Sequence, residues 1–176
     1  MTFEPTAIPG CVVVRPERHH DARGYFARTW EGEALAAAGL NPRVAQCSTS
    51  FNAKAGTLRG MHHQAGPHEE AKLVRCTRGA VHDVCLDLRP GSPTFRRHVG
   101  VELTEENGLA LYVPEGCAHG FLTLRDGSEV FYTISVGYAP EAARGVRWDD
   151  PSFAIAWPGP PTVIHPRDAG YPDFSD

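Results

Sequence analysis

The stretch Gly108-Leu-Ala-Leu-Tyr-Val-Pro114-Glu-Gly116-Cys-Ala-His119 decides the fold. Its apolar run Leu109–Val113 reads as a strand, and Pro114-Glu-Gly116 reads as a tight turn. A second apolar run, Gly120–Leu124, follows directly and leaves His119 at its head. The same grammar extends in both directions. Downstream, Arg125-Asp-Gly127 separates this run from Glu129–Ser135. Upstream, His98–Leu103 ends at Glu106-Asn-Gly108. Ala71–Cys76 and Ala80–Leu88 alternate polar and apolar residues around a Thr77-Arg-Gly79 turn, and Arg89-Pro-Gly-Ser-Pro93 closes the pair. Cys11–Arg15 follows Pro9-Gly10. Strands repeating at about 8–12 residues with Gly, Pro and Asn turns predict an all-β sandwich or barrel, most economically a jelly roll. Only short peripheral helices are expected. One covers Glu31–Gly39 with Thr29 as its cap, and a single turn covers Pro140–Arg144.

Composition agrees. The 176 residues carry 18 glycines and 15 prolines, too much punctuation for a long-helix or coiled-coil protein. The length fits a single domain spanning 1–176. The proline-rich segment 158–176 reads as a C-terminal wrap, with surface or short helical turns. Seventeen Lys and Arg against 21 Asp and Glu give a net charge of −4, the wrong sign for a nucleic-acid binder. No apolar run approaches the roughly 20 residues that span a bilayer. The cysteines Cys11, Cys47, Cys76, Cys85 and Cys117 are odd in number and form no CxxC pair. Buried, reduced thiols in a cytoplasmic protein are therefore expected.

Histidine and glycine recur at fixed intervals in two blocks. Gly56 precedes His62 by six positions in Gly56-Thr-Leu-Arg-Gly60-Met-His62-His63-Gln64, and Glu69 and Glu70 lie beyond. The second block is the one quoted above. Together they resemble the paired motifs of the cupin superfamily, G(x)5HxH(x)3–4E and G(x)5PxGxxH(x)3N. The cupin double-stranded β-helix is the fold this resemblance implies. Gln64 stands where the second metal-binding imidazole would be, and Thr123 replaces the terminal Asn. What is left is His62, His119 and Glu69, with an amide in place of an imidazole, so no closed metal site is expected.

A closer resemblance covers Ala7-Ile-Pro-Gly10 to Arg167-Asp168. Gly56-Thr-Leu-Arg-Gly-Met-His62, Lys72-Leu-Val-Arg, Asp87-Leu-Arg-Pro-Gly-Ser-Pro-Thr-Phe95, Pro114-Glu-Gly-Cys-Ala-His-Gly-Phe121 and Arg144-Gly-Val-Arg-Trp-Asp-Asp150 resemble the dTDP-4-dehydrorhamnose 3,5-epimerases. These are metal-independent cupins of deoxysugar biosynthesis, so no metal or cofactor is implied. Their substrate is a nucleotide-diphosphate 4-keto-6-deoxy sugar, whose C3 and C5 protons are acidified by the ketone. Inverting such a centre takes a base on one face, an acid on the other, and a cation at the enolate oxygen. The resemblance assigns the base to His62, its orienting carboxylate to Asp168, the cation to Lys72 and the acid to Tyr132. It assigns Arg59 and Arg23 to the pyrophosphate and Tyr138 to stacking on the base. Phe26, Arg28, Gln46, Ser48, His119 and Arg167 fall at further substrate-binding positions. A homodimer with exchanged N-terminal strands is implied, carrying Arg23 and its neighbours to the adjacent subunit's site. Arg23, Arg28, Arg59, Lys72 and Arg167 are expected to line one cationic pocket.

The departures fall on the nucleotide side. Arg28 and Ala143 stand where the family carries glutamates, and its Gln-x-Asn triplet is Gln46-Cys47-Ser48 here. A rewritten recognition shell leaves the nucleotide open between thymidine and the cytidine or guanosine of a CDP- or GDP-linked sugar. It also leaves open whether C3, C5 or both are inverted. Two other function classes compete: a metal-dependent cupin oxygenase or isomerase, and a non-catalytic sugar-binding cupin.

Overall fold

The computed structural model describes residues 1–175. Two sheets face each other. The first runs β1 (Thr2–Pro5), β2 (Val12–Arg15), β10 (Ala110–Val113), β7 (Lys72–Arg78), β12 (Ser128–Ile134) and β5 (Gln46–Asn52). The second runs β13 (Ala143–Gly145), β6 (Thr57–Gln64), β11 (Cys117–Thr123), β8 (Ala80–Asp87) and β9 (His98–Thr104), with β14 (Val163–Ile164) parallel to the start of β6. A separate hairpin pairs β3 (Arg18–Asp21) with β4 (Gly24–Ala27). The chain is all-β, with crossovers between sheets as expected of a cupin jelly roll. No helix among the described residues is long and apolar enough to cross a membrane.

Side-chain alternation builds the interior. Successive residues of a strand face opposite sides, so one parity of each strand fills the space between the sheets. Val74 and Cys76 on β7, Val81 and Cys85 on β8, Leu111 and Val113 on β10, and Val130 on β12 form a buried cluster with Phe121 and Cys117. The same parity continues along β7 to Lys72 and along β12 to Tyr132. On these two strands the inward face is thus apolar in the core and carries a lysine or a tyrosine toward one end of the sandwich.

The outer faces are covered locally. Helix α1 (Gly32–Ala37) buries Leu35 against Val14, Leu73, Ala110 and Tyr112. It starts at Glu31, and Thr29 is not its cap. The Glu31 side chain instead meets Arg28 at 2.7 Å and leaves the first turn without a side-chain cap. The turn expected at Pro140–Arg144 forms over Pro140–Ala142, then opens into β13 because Ala143–Gly145 pair with Gln64–His62. On the second sheet, Phe153, Trp157 and Phe174 pack over Met61, Val84 and Leu86. The C-terminal segment thus straps that sheet, contributing β14 and the short helix α2 (Pro166–Ala169). All five cysteines are free, and four are buried; Cys47, contrary to expectation, is exposed on the edge strand β5.

Candidate active site

A cavity of about 930 Å³ opens at the functional end of the sandwich, between β6 and β11 of one sheet and β7 and β12 of the other. The C-terminal segment 163–171 forms part of its wall. His62, Asp168, Lys72, Tyr132, Arg59, His119, Tyr138 and Arg167, all singled out in the sequence, line it.

His62 sits on a rung of three strands, opposite His119 of β11 on one side and Gly145 of β13 on the other. Its carboxylate partner arrives from α2. Pro166 takes the first helical position, where a missing N–H costs nothing, and His165 Nδ1 accepts the Arg167 N–H. This turn buries Asp168 (3% side-chain exposure) and sets its Oδ1 2.8 Å from His62 Nε2. Asp168 Oδ1 also accepts from Arg167 Nε at 3.1 Å, and Oδ2 accepts the Gly60 N–H at 3.2 Å. Gly60 is required here: its φ is +133°, and a Cβ would strike the Gly120 backbone of β11. Burial alone would raise the Asp168 carboxyl. Hydrogen bonding and charge from His62, helped by Gly60 and Arg167, outweigh it and hold the pKa at about 2.

An ionised Asp168 fixes the tautomer. Nε2 must carry the proton it donates to Oδ1, which leaves the lone pair on Nδ1. Arg167 Nη2 lies 3.1 Å from Nε2, but that nitrogen has no lone pair left to accept it. Nδ1 is therefore the basic atom of the dyad.

The facing sheet presents Lys72 and Tyr132. Lys72 Nζ pairs with Glu70 at 2.8 Å, both side chains only about a tenth exposed (12% and 11%). Tyr132 lies on β12 beside β7, and burial pushes its phenol above the usual value. The carboxylate-held imidazole and the phenol thus come from opposite walls of one cavity. Beneath the first dyad, His119 Nε2 meets Asp83 Oδ1 at 2.8 Å, and Asp83 Oδ2 is buried without a partner. Arg59 is held by Asn52 Oδ1 at 2.7 Å and by the Phe51 carbonyl.

Gln64 does not act as a substitute metal ligand. Its Oε1 accepts the Ala139 N–H at 2.7 Å, and its Nε2 donates to the His68 and Gly137 carbonyls. The amide is fully used to pin the loop that presents Tyr138, which stands 63% exposed at the mouth. Glu69, the other candidate ligand, does not line the cavity. Among the described residues, no three His, Cys, Asp or Glu side chains converge as a metal site.

A single chain holds only part of the expected cationic pocket. Arg59, Lys72 and Arg167 line the cavity, but Arg23 and Arg28 do not. Arg23 is at the tip of the β3–β4 hairpin, paired with Asp21 at 2.6 Å, and Arg28 is paired with Glu31. Phe26 is 65% exposed on the same hairpin, while Gln46 and Ser48 lie on the outermost strand β5. None of the three lines this cavity. Conversely, the structure adds Glu70, Asp83, His63, Arg144 and Tyr171. Asp83 carried a readable signal: an acid at the inward parity between Val81 and Cys85 needs a buried partner. His63 borders the cavity with Nδ1 buried and unpaired; burial, then the nearby Lys72 charge, lowers its pKa. Tyr171 gave no signal at all in the sequence.

The family model for dTDP-4-dehydrorhamnose 3,5-epimerase matches residues 5–176. The chain belongs to this epimerase family. A dTDP-4-dehydrorhamnose 3,5-epimerase from Sinorhizobium fredii is 40% identical over 181 residues, covering 100% of this chain and 91% of that one. The solved Bacillus anthracis dTDP-4-dehydrorhamnose 3,5-epimerase, with TDP and pyrophosphate bound, superposes with a TM-score of 0.94. It is 34% identical and the match covers 98% and 99% of the two chains. A 3′-monoepimerase from Streptomyces bikiniensis in complex with dTDP-quinovose gives 0.89 at 36% identity, covering 97% and 86%. The fold and the family expected from the sequence are both borne out.

Proposed function

We propose that the protein epimerises a dTDP-linked 4-keto-6-deoxy sugar at C3 and C5. The observation that carries this reading is a carboxylate-held imidazole and a half-buried phenol on opposite sheets of one cavity. In each half-reaction His62 Nδ1 removes the proton alpha to the ketone. The electron pair moves onto the C4 oxygen, where the Lys72 ammonium stabilises the enolate. Asp168 stabilises the imidazolium that forms. Tyr132 then returns a proton to the same carbon from the opposite face, and the centre is inverted. Before the next half-reaction the imidazolium gives its proton to water and the phenolate takes one back, so the cycle balances in protons and no cofactor enters.

Arg59 and Arg167 grip the diphosphate, since guanidinium groups match phosphate oxygens and stay charged. His119 contacts the sugar from its own dyad. Tyr138 stacks on the base. The chain works as one domain in a homodimer. The β3–β4 hairpin of each protomer carries Arg23, Phe26 and Arg28 to its neighbour's cavity, where they meet the nucleotide with Gln46 and Ser48. The ligands in the named relatives, TDP and dTDP-quinovose, support thymidine over cytidine or guanosine. The free, mostly buried thiols suit a reducing cytoplasm.

The 3′-monoepimerase match favours one second reading, inversion at C3 alone. Calorimetry with dTDP, CDP, GDP and UDP tests the nucleotide. Tightest binding of dTDP is expected; preference for CDP or GDP would overturn the thymidine assignment.

A further inference from the structure

Tyr171 has no part in the chemistry above, yet it occupies a telling position. It follows α2 directly, so the turn that buries Asp168 also sets the phenol. Its ring meets the His62 imidazole edge-on, with centroids 6.4 Å apart and planes at 72°. Such edge-to-face contacts are attractive and directional. The ring also fills the space left by Gly145, the residue paired with His62 across β13 and β6. A Cβ at position 145 would collide with Tyr171 Cζ and Cε2. The phenol is thus packed onto the rung that carries the base. Among the described residues, burial raises the pKa of this phenol against the opposing Arg167 charge, and no hydrogen bond holds the hydroxyl.

We infer that Tyr171 is a positioning residue: its ring, seated over Gly145, holds the His62 imidazole at the angle needed for proton abstraction. This rests on the epimerase reading for its kinetic consequence, though not for its structural one. Asp168 fixes one nitrogen of the imidazole by a single hydrogen bond, which still permits the ring to swing about that contact. A second contact on the ring's face or edge removes that freedom. Small misplacements of a base cost rate far more than binding, so the effect belongs in kcat.

The test compares Tyr171→Ala, Tyr171→Phe and Gly145→Ala with the unaltered chain. Two readouts are taken: steady-state kinetics on a dTDP-4-keto-6-deoxy sugar, and the ring 1H–13C NMR signals of His62 in histidine-labelled protein. Tyr171→Ala is expected to lower kcat about tenfold with KM changed less than about threefold, as loss of base geometry implies. The His62 ring signals should broaden or split. Tyr171→Phe keeps the ring and should recover both the rate and the single set of signals. Gly145→Ala displaces the ring and should reproduce the Tyr171→Ala loss, with the double variant no worse than either single one. If Gly145→Ala does not fold, the Ala and Phe variants at position 171 decide alone.

Unchanged kcat and unchanged His62 signals in Tyr171→Ala would overturn the inference. A Phe variant as impaired as the Ala variant would also overturn it, because the hydroxyl would then be the active feature. Absence of turnover in the unaltered chain would sink the epimerase reading instead. The His62 signals would still decide whether Tyr171 positions the ring.

Discussion

Replacing Asp168 by Asn probes the centre of the site while keeping its shape. The carboxylate accepts from three donors: His62 Nε2–H at 2.8 Å, Arg167 Nε–H at 3.1 Å and Gly60 N–H at 3.2 Å. An amide has one acceptor and one donor end. If its oxygen faces His62, the NH2 group points at Gly60 N–H, and no negative charge remains to stabilise the imidazolium. If its nitrogen faces His62, Nε2 must accept, the proton moves to Nδ1, and the base is lost. The charge effect sets the smaller loss. A carboxyl held at about 2 against an ordinary 3.8 reflects about 2 kcal/mol of preference for the charged form, or somewhat under 10²-fold. The tautomer effect sets the larger loss, about 10⁴-fold in analogous dyads. Asp168→Asn should therefore lower kcat by about 10²- to 10⁴-fold. It should also lower thermal stability by on the order of 5 °C, given about 2–4 °C per kcal/mol for a chain of this size.

The stability effect has a pH signature. A depressed carboxyl stabilises the native state fully above its unfolded pKa, and that contribution is lost as pH falls through the folded value. Between about pH 4 and pH 2 the unaltered chain should lose stability more steeply than Asp168→Asn. Thermal melts followed by circular dichroism across that range, with epimerisation followed by NMR at neutral pH, supply the assay. A variant within tenfold of the starting kcat, with a parallel acid-stability curve, would refute the dyad.

Three further outcomes follow from the same geometry. Lys72→Met should abolish detectable turnover and destabilise the fold by about 3 kcal/mol, because Glu70 is left nearly buried and unpaired; urea melts should show Lys72→Met/Glu70→Gln regaining stability without activity. Tyr132→Phe should uncouple the half-reactions: His62 still exchanges the alpha proton with solvent, but inverted product falls at least about 10²-fold, the usual scale of general acid catalysis, by NMR. Asp87→Asn should cost about 3 kcal/mol in denaturant melts while leaving the kcat of the folded enzyme within about twofold, since that fully buried carboxylate serves Arg89, Ser92 and Thr94 and not the cavity.

The strands nearest the core were legible because their alternation is strong. Ala71–Cys76, Ala80–Leu88 and Glu129–Ser135 each became a strand within two residues of the expected bounds. Strands β5 and β6 were not read as strands. β5 is mostly polar on a sheet edge, and β6 carries glycine, arginine and two histidines where apolar residues usually announce a strand. The site divides in the same way. His62, His119 and Lys72 stood in ordered motifs, so their convergence could be anticipated. Glu70 pairs with Lys72 only two residues on, but nothing in the alternation says that both heads are buried together, and Asp83 shows its inward parity without showing that its partner is His119, 36 residues along the chain. Tyr171 reaches the base because a four-residue helix turns the chain at Pro166, a tertiary event invisible in a proline-rich tail. Arg23 and Arg28 were expected at the adjacent subunit's site, and within one chain the hairpin holds them against Asp21 and Glu31, away from this chain's own cavity.

The central claim, that His62 and Tyr132 move protons on opposite faces of a 4-keto sugar, is tested most directly by solvent labelling. The protein is incubated with dTDP-4-keto-6-deoxyglucose in D2O, and deuterium is located position by position by NMR. Deuterium at both C3 and C5 is expected in the epimerised product, and none at either position with His62→Ala. Label at C3 alone would contradict the 3,5-epimerase assignment and leave a 3-epimerase, whereas undiminished labelling in His62→Ala would contradict the base itself.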